Sequence, residues 1–161
     1  MSARTQWVLL AYRIPREPST PRIAVWRRLK RLGVAQLGDG LVALPMDART
    51  REQLEWVADE IRKAEGEATL WLAHPASAAQ ERRVATELAQ ARAAEYQAVI
   101  DEADAMTTPS RRTIQRLRRE LRRINRRDYF PPPERSAAKA AVEALAARTR
   151  SQSSDRETSR S

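Results

Sequence analysis

The sequence predicts an α+β protein in which a ferredoxin-like βαββαβ sheet domain is followed by a C-terminal helical hairpin and a short third helix. Three observations lead to this fold class. Short apolar runs alternate with helical patterns in the first half of the chain, two glycines flank a turn between two of those runs, and no glycine or proline occurs between Pro75 and Pro109. Such a long uninterrupted stretch favours a helix in the second half.

The first strand and helix are bounded by prolines and a glycine. Residues 7–12 form an apolar run that predicts a strand, and residues 13–18 contain two prolines that predict a loop. Thr20 and Pro21 suit the N-cap and the first position of a helix, and Gly33 suits its end. The buried stripe of this helix is predicted to contain Ile23, Trp26, Leu29 and Leu32.

A hairpin, a second helix and a last strand complete the predicted domain. The Gly-Asp-Gly segment at residues 38–40 separates two short apolar runs, which indicates a β-hairpin. Thr50 and Gln53 have the spacing of a capping box that opens a helix ending near Gly66. Its inward stripe is predicted to be Leu54, Val57, Ala58 and Ile61. Residues 69–73 then predict the fourth strand.

Apolar residues occupy consecutive positions in the predicted strands instead of alternating with polar ones. A sheet that is wet on one face should alternate, so we expect both faces to be covered, the second one by residues 77–130 or by another subunit. The four tryptophans fall inside these apolar patterns, and core packing is the predicted role of each: Trp7, Trp26, Trp56 and Trp71.

The second half is predicted to be helical. A capping box at residues 77–80 opens a long helix, and the Thr-Thr-Pro segment at 107–109 separates it from a second helix. The apolar seam of that second helix consists of Ile114, Leu117, Leu121 and Ile124. A short Ala-rich helix is expected over residues 136–147. The predicted organisation is a sheet domain at 1–75, a helical part at 76–148 and a disordered Ser/Arg/Glu-rich tail at 149–161.

Composition excludes most enzyme chemistry. The chain has no cysteine and a single histidine, His74, so Cys/His metal sites and cysteine nucleophiles are absent. It also lacks a Gly-rich phosphate loop. We therefore expect a protein that is not an enzyme and has no cofactor or metal. Its apolar runs are too short for a signal peptide or a membrane span, which predicts a cytoplasmic protein without membrane contact.

The positive charge is concentrated in one part of the chain. Residues 1–110 hold 15 basic and 15 acidic side chains, whereas residues 111–161 hold 15 basic and 6 acidic ones and so carry the whole net charge of +9. The predicted second helix of the hairpin contains nine arginines and one acid, Glu120, within residues 111–127. Arginine suits bidentate contact with phosphates and guanine edges.

These arginines and a smaller group on the first helix are the candidate nucleic-acid-binding residues. They are Arg22, Arg27, Arg28, Arg31, Arg112, Arg116, Arg119, Arg123 and Arg126. Arg13 and Arg16 are positioned to extend the first group. The alternative for the first group is an ordinary solvated helix face. The alternative for the second is pairing with acids of the preceding helix, among them Glu95 and Glu102.

Several linked motifs resemble the N-terminal domain of ChrB proteins. They are Trp7 to Pro18, Arg22 to Gly33, Val42 to Pro45, Leu54 to Trp56, Glu95-Tyr96 and the Arg-Arg-Asp-Tyr-Phe segment at 126–130. ChrB proteins are regulators associated with chromate-resistance genes. The resemblance spans roughly residues 5–147 and implies a transcriptional regulator whose basic N-terminal part contacts DNA, expected as a homodimer. The C-terminal domain that longer members carry, which is associated with chromate response, is absent from these residues.

The same residues are also compatible with two other functions. Arginines that contact phosphate also suit chromate or another oxyanion, so an oxyanion-binding accessory protein without DNA binding is one alternative. A metal-dependent nuclease is the other, since the domain is distantly similar to the CRISPR adaptation nucleases and to the phenylacetate-catabolism repressors. In those nucleases an aspartate at the end of the first strand binds metal, but Tyr12 and Arg13 occupy that place here.

Overall fold

The chain divides into two compact units, with the division between Leu88 and Ala89. A computed structural model describes residues 5–160. The first unit includes the sheet and also the residues just after it, beyond the boundary at residue 75 that the sequence predicts. The backbone amide of Thr5 donates to the Glu81 carboxylate at 2.8 Å, which ties the start of the third helix to the sheet unit.

Within residues 5–88, the first unit contains four strands and two complete helices in the predicted order. They are β1 (Trp7–Arg13), α1 (Ser19–Leu32), β2 (Ala35–Gly38), β3 (Leu41–Pro45), α2 (Ala48–Lys63) and β4 (Glu67–Ala73). The strands form one antiparallel sheet in the order β2-β3-β1-β4. This arrangement confirms the predicted ferredoxin-like sheet.

One face of the sheet is covered by α2, which packs against β1 and β4, and α1 packs against α2. The register pairs Val8 with Leu44 and Leu10 with Val42, and all four side chains are fully buried. The inward stripe predicted for α2, Leu54, Val57, Ala58 and Ile61, is also fully buried and is confirmed. Because side chains alternate along a strand, these contacts fix which face of β1 meets the helices.

The N-terminus of α2 differs from the prediction. Asp47, and not Thr50, is the N-cap, and its carboxylate accepts a hydrogen bond from the Thr50 amide at 2.7 Å. The Thr50 hydroxyl accepts from the Asp47 amide at 3.0 Å and donates to the Pro45 carbonyl at 2.6 Å. Thr50 is therefore a fully buried residue in the first turn, because the helix begins three residues earlier than its sequence pattern suggests.

The buried stripe of α1 is also different. Val25 and Leu29 are buried, whereas Ile23 and Trp26 are 46% and 54% exposed, so the predicted seam is wrong at those two positions. Residues 23 to 26 are all apolar and support two stripes that differ by a rotation of about 100° per residue. Packing selects the stripe that contains Val25.

The prediction that every tryptophan is in the core holds only for Trp7, which is 4% exposed. Trp26, Trp56 and Trp71 are 54%, 53% and 60% exposed, so the prediction is wrong for them. Trp71 pairs with Leu9 across the sheet, on the face away from α2. The apolar character of these runs therefore does not predict which of their side chains are buried.

The second face of the sheet is partly covered by the first turns of the third helix. Gln80 and Val84 line a small cavity of about 80 Å³ together with Trp7, Leu9 and Ala43. Trp7 lines this cavity and is buried, although it lies opposite the face that α2 covers.

The second unit, which the structure describes over residues 89–160, is helical. It consists of the end of α3 (Ala78–Ala105), α4 (Arg111–Arg126) and α5 (Glu134–Thr158). They share one apolar core, built from Tyr96, Val99, Ala103, Ile114, Leu117, Ile124, Ala138, Val142, Leu145 and Ala146. Leu121 packs against this core and is partly buried. The predicted hairpin, third helix and α4 seam are therefore present.

Helix α5 is longer than predicted. It runs to Thr158, well into the segment that the sequence predicts to be a disordered tail. No residue between Ala147 and Arg160 is buried. The Ser151 and Ser153 hydroxyls donate to the carbonyls of Ala147 and Thr149, four residues earlier. Local backbone and hydroxyl hydrogen bonds, without core packing, continue the helix there.

Candidate nucleic-acid interface

The four predicted arginines of α1 have different surroundings. Arg22, Arg27 and Arg31 are exposed and form no ion pair within residues 5–160. Arg28 is half-buried and donates to the Glu60 carboxylate of α2 at 2.8 Å. Three of the four guanidinium groups are therefore available to an anionic partner, and the fourth links two helices.

The exposed surface of α1 continues into a cleft, which we name the strand-end cleft. It has a volume of about 780 Å³ and lies where the end of β1, the loop after it, α1 and the β2–β3 turn meet. Its lining residues are Tyr12, Arg13, Ile14, Arg16, Arg22, Trp26, Gln36, Asp39 and Gly40. The structure thus brings Arg13 and Arg16 beside Arg22, which is the extension of the α1 group that the sequence suggested.

The β2–β3 turn is held against the end of β1 by its glycine. The Tyr12 amide donates to the Gly40 carbonyl at 2.8 Å. Gly40 has a φ of 68°, and a Cβ atom there would lie 2.4 Å from the Tyr12 carbonyl oxygen. A side chain cannot fit without moving one of these backbones. Gly40 therefore allows the β2–β3 turn to lie against the end of β1, beside the cleft.

Burial raises the pKa of the Tyr12 phenol, and the positive charge of Arg22 opposes part of that rise. The phenol is therefore neutral at physiological pH, and Arg22 lies close enough to it to influence its ionisation. The cleft combines three guanidinium groups, one carboxylate on Asp39 and aromatic surface. This is the chemistry of a site for an anion that carries a planar group.

Trp26 is a candidate site residue that the sequence interpretation assigned to the core. Its ring is more than half exposed, and the Lys30 ammonium lies over it, 4.4 Å from the ring centroid. An exposed aromatic ring beside basic residues is what base stacking requires. The sequence feature that predicts the exposure of Trp26 is Val25, because a buried stripe through Val25 and Leu29 places Trp26 outside the core.

Some of the α4 arginines pair with acids of the same unit, of which only Glu102 lies on the preceding helix that the alternative interpretation expected to supply them. Arg116 pairs with Glu102, and Arg123 pairs with Glu120 at 3.3 Å. Arg118 binds both carboxylate oxygens of Glu143 at 3.1 and 3.2 Å. These pairs are exposed, so each contributes little to stability, but each reduces the free positive charge on α4.

Other α4 arginines have no such partner. Arg111, Arg112, Arg119 and Arg122 are exposed and form no ion pair with any residue between 5 and 160. Arg126 is also exposed. A cationic surface therefore remains on α4 after pairing, and Arg112 and Arg119 are the predicted residues that contribute to it without an ion-pair partner.

The end of α4 is anchored by a buried polar network. The Tyr96 hydroxyl lies 2.6 Å from the Asn125 side-chain oxygen and 2.8 Å from an oxygen of Asp128, whose side chain is completely buried. Burial and the hydrogen bond to Asp128 raise the pKa of Tyr96 well above its usual value. Tyr96 and Asp128 belong to the motifs that resemble the family, and here they support α4 from within.

Two arginines complete this network. Arg92 is 9% exposed and donates to the Glu95 carboxylate at 3.1 Å, and Arg127 also pairs with Glu95. Burial lowers the pKa of Arg92, while the neighbouring Glu95 opposes this shift. Arg127, the C-cap residue of α4, is thus a structural arginine, in contrast to the exposed arginines within that helix.

Within residues 5–160, no group of three or more His, Asp or Glu side chains is arranged to hold a metal ion. None of the helices described there is long and apolar enough to cross a membrane.

The fold and these surfaces define a class of protein, an α+β protein with a ferredoxin-like sheet unit, a three-helix unit and exposed arginines on α1 and α4. A family model described as Protein ChrB, N-terminal, matches residues 22–114, more than half of the chain. The chain therefore belongs to the ChrB N-terminal family. The match includes all four α1 arginines and only the first turn of α4.

Protein ChrB of Cupriavidus metallidurans is 28% identical to this chain over 138 residues. The matched region covers 81% of this chain and 42% of the relative. The chain thus corresponds to less than half the length of that protein. No solved structure matches the chain significantly.

Proposed function

We propose that this chain is a cytoplasmic DNA-binding regulator of chromate-resistance genes. Membership of the ChrB N-terminal family supports the link to chromate resistance. The observation that carries the DNA-binding part is the set of exposed arginines without ion-pair partners among the described residues, Arg27 and Arg31 on α1 and Arg112 and Arg119 on α4.

Unpaired arginines matter more than the total charge. An arginine that contacts a DNA phosphate displaces a condensed counterion, and this release drives association. An arginine that is already paired, such as Arg28 with Glu60, must first lose its partner. The net gain from such a residue is smaller. The four unpaired arginines are therefore the expected source of affinity.

The proposal is tested by fluorescence anisotropy with a labelled duplex from the region upstream of the gene. The titration is repeated at several salt concentrations and with a scrambled duplex of equal length. We expect affinity to fall steeply with salt, and the upstream duplex to bind more tightly than the scrambled one. Weak binding that does not respond to salt would overturn the proposal.

Paired substitutions show which helix contacts DNA. Arg27→Gln with Arg31→Gln removes the α1 charges, and Arg112→Gln with Arg119→Gln removes the α4 charges. The double variant on the contacting helix should lower the salt dependence by about two phosphate contacts, a change of roughly 1.8 in the logarithmic slope. No change in either double variant would contradict the assignment of these residues.

Oxyanion binding is a second candidate, favoured by one observation. Arg13, Arg16 and Arg22 line the same cleft and form no ion pair within the described residues. Calorimetry with chromate and with sulfate tests this function. Selective stoichiometric binding of chromate, without affinity for duplex DNA, would favour it over regulation.

The proposed regulator acts by binding and not by catalysis, and as a homodimer. Light scattering after size-exclusion chromatography measures the mass in solution, and a mass of about 18.3 kDa, that of one chain, would contradict the dimer. Divalent-metal-dependent cleavage of the duplex would contradict the absence of catalysis.

A further inference from the structure

The strand-end cleft differs from the arginine-lined clefts on α4 and α5 because aromatic side chains line it. Its volume of about 780 Å³ lies within the usual range of sites for small organic ligands, roughly 300–1,000 Å³. A flat helix face that contacts a duplex backbone needs no such hollow. The cleft is therefore large enough to admit a small ligand group.

The charged residues of the cleft favour an anion. Arg13, Arg16 and Arg22 contribute three positive charges, and Asp39 contributes one negative charge. The three guanidinium groups are exposed and lack ion-pair partners among residues 5–160. A phosphate group offers the several acceptor oxygens that these planar donors can bind in pairs.

The aromatic wall favours a planar group next to that anion. Trp26 lines the cleft and is 54% exposed. Lys30, whose ammonium lies over the indole, is not a lining residue, so it does not fill the cleft. Indole rings stack readily on nucleobases whatever their identity. Trp26 and Arg22, four residues apart on α1, occupy neighbouring positions on one helix face.

We propose that the strand-end cleft binds a nucleotide unit, with its base stacked on Trp26 and its phosphate held by Arg13, Arg16 and Arg22. Such a unit has two possible sources, an unpaired nucleotide within a DNA strand or a free nucleoside phosphate. The first source rests on the proposed DNA binding, and the second does not. The site differs from the exposed arginine surface of α4 because it combines guanidinium groups with an aromatic ring.

The test uses the full chain and two probes. A fluorescein-labelled single strand of twelve thymidines is followed by anisotropy, and ATP is followed by calorimetry, both at one fixed low salt concentration. Trp26→Ala should weaken binding about tenfold, and Trp26→Phe, which keeps a ring, should weaken it less. Trp56→Ala is the matched control, since Trp56 is equally exposed on α2 and does not line the cleft.

The probes separate the two sources. Binding of the oligonucleotide alone assigns the site to a DNA strand, and ATP binding that depends on Trp26 assigns it to a free nucleotide. Arg22→Gln should weaken either interaction, which reports the phosphate contact. Failure of both probes to bind, or equal effects of Trp26→Ala and Trp56→Ala, would overturn the proposal.

Duplex binding is measured on the same variants, so that the two proposals can fail separately. In one outcome, the duplex binds, the double variant Arg112→Gln with Arg119→Gln lowers its affinity, and Trp26→Ala leaves the affinity for the single strand and for ATP unchanged. This outcome overturns only the nucleotide site. If ATP binds through Trp26 and the duplex does not bind, only the DNA-binding proposal is overturned. Circular dichroism of each variant confirms that it is folded.

Discussion

The hydroxyl of Tyr96 on α3 and the buried carboxylate of Asp128 after α4 are joined by a hydrogen bond of 2.8 Å. The phenol has a single proton, and its other neighbour is the Asn125 side chain at 2.6 Å. The second oxygen of Asp128 is buried without a hydrogen bond among the described residues. Tyr96 therefore compensates for this buried carboxylate together with the Arg135 guanidinium, which lies 3.9 Å from the same oxygen.

We expect Tyr96→Phe to destabilise the protein by about 1–3 kcal/mol, because a buried acceptor loses its donor. Urea denaturation of the full chain measures the change. Tyr12→Phe is a control with the same chemical change, since no hydrogen bond of the Tyr12 hydroxyl occurs among the described residues, and it should alter stability by less than about 0.5 kcal/mol. Equal effects of the two variants would contradict the role given to the network.

Burial and this hydrogen bond together raise the pKa of Tyr96, and they therefore predict that the stability of the protein changes at alkaline pH. The pKa of Tyr96 is raised in the folded protein from its usual value of 10.0, so the unfolded state loses this proton first. The contribution of Tyr96 to the free energy of unfolding is complete below about pH 10 and decreases as the pH rises above that value. The difference in unfolding free energy between the wild type and Tyr96→Phe should therefore shrink as the pH rises from 10 to 11. A constant difference would show that Tyr96 does not titrate this way.

Gly40 provides a test of the geometry of the strand-end cleft. Gly40→Ala should destabilise the protein by about 1–2 kcal/mol or more, because its φ of 68° is unfavourable for alanine and the new Cβ would meet the Tyr12 carbonyl. Gly38→Ala is the control in the same turn, where a Cβ meets nothing within 4 Å. Thermal unfolding compares the two variants. A destabilisation that is as large for Gly38→Ala would contradict the steric argument.

The capping interaction of α2 predicts a difference between two substitutions at Asp47. Asp47→Ala removes the acceptor of the Thr50 amide and should destabilise the protein by about 1 kcal/mol. Asp47→Asn keeps a side-chain oxygen at that position and should have a much smaller effect. Chemical denaturation measures both. If Asn is as harmful as Ala, the carboxylate acts through its charge and not through the cap.

Much of the fold could be predicted because it is determined by local patterns. The stripe from Leu54 to Ile61 has a single helical solution, and the Gly-Asp-Gly segment indicates the antiparallel pairing of β2 with β3. Trp26 could not be placed in this way, because the apolar run from Ile23 to Trp26 has two possible stripes. Only packing against α2 selects between them.

The candidate site was harder to predict than the fold. The pairing of Arg28 with Glu60 and of Arg118 with Glu143 joins residues that are far apart in sequence. No spacing rule identifies such pairs. The cleft similarly combines the end of β1, α1 and the β2–β3 turn, so its lining depends on the sheet topology. The sequence identified the basic helices but could not divide their arginines into paired and unpaired ones.

The difference between paired and unpaired arginines can be tested at two consecutive residues of α4. Arg119 is exposed without an ion pair among the described residues, whereas Arg118 is held by both oxygens of Glu143. If α4 contacts DNA, Arg119→Gln should reduce the logarithmic salt slope of duplex binding by about 0.9, the value for one phosphate. Arg118→Gln should change the slope much less, because that guanidinium is already neutralised. Neither variant should alter stability by more than about 1 kcal/mol, since both side chains are on the surface. Equal slopes for the two variants would show that the pair with Glu143 does not withhold Arg118 from DNA.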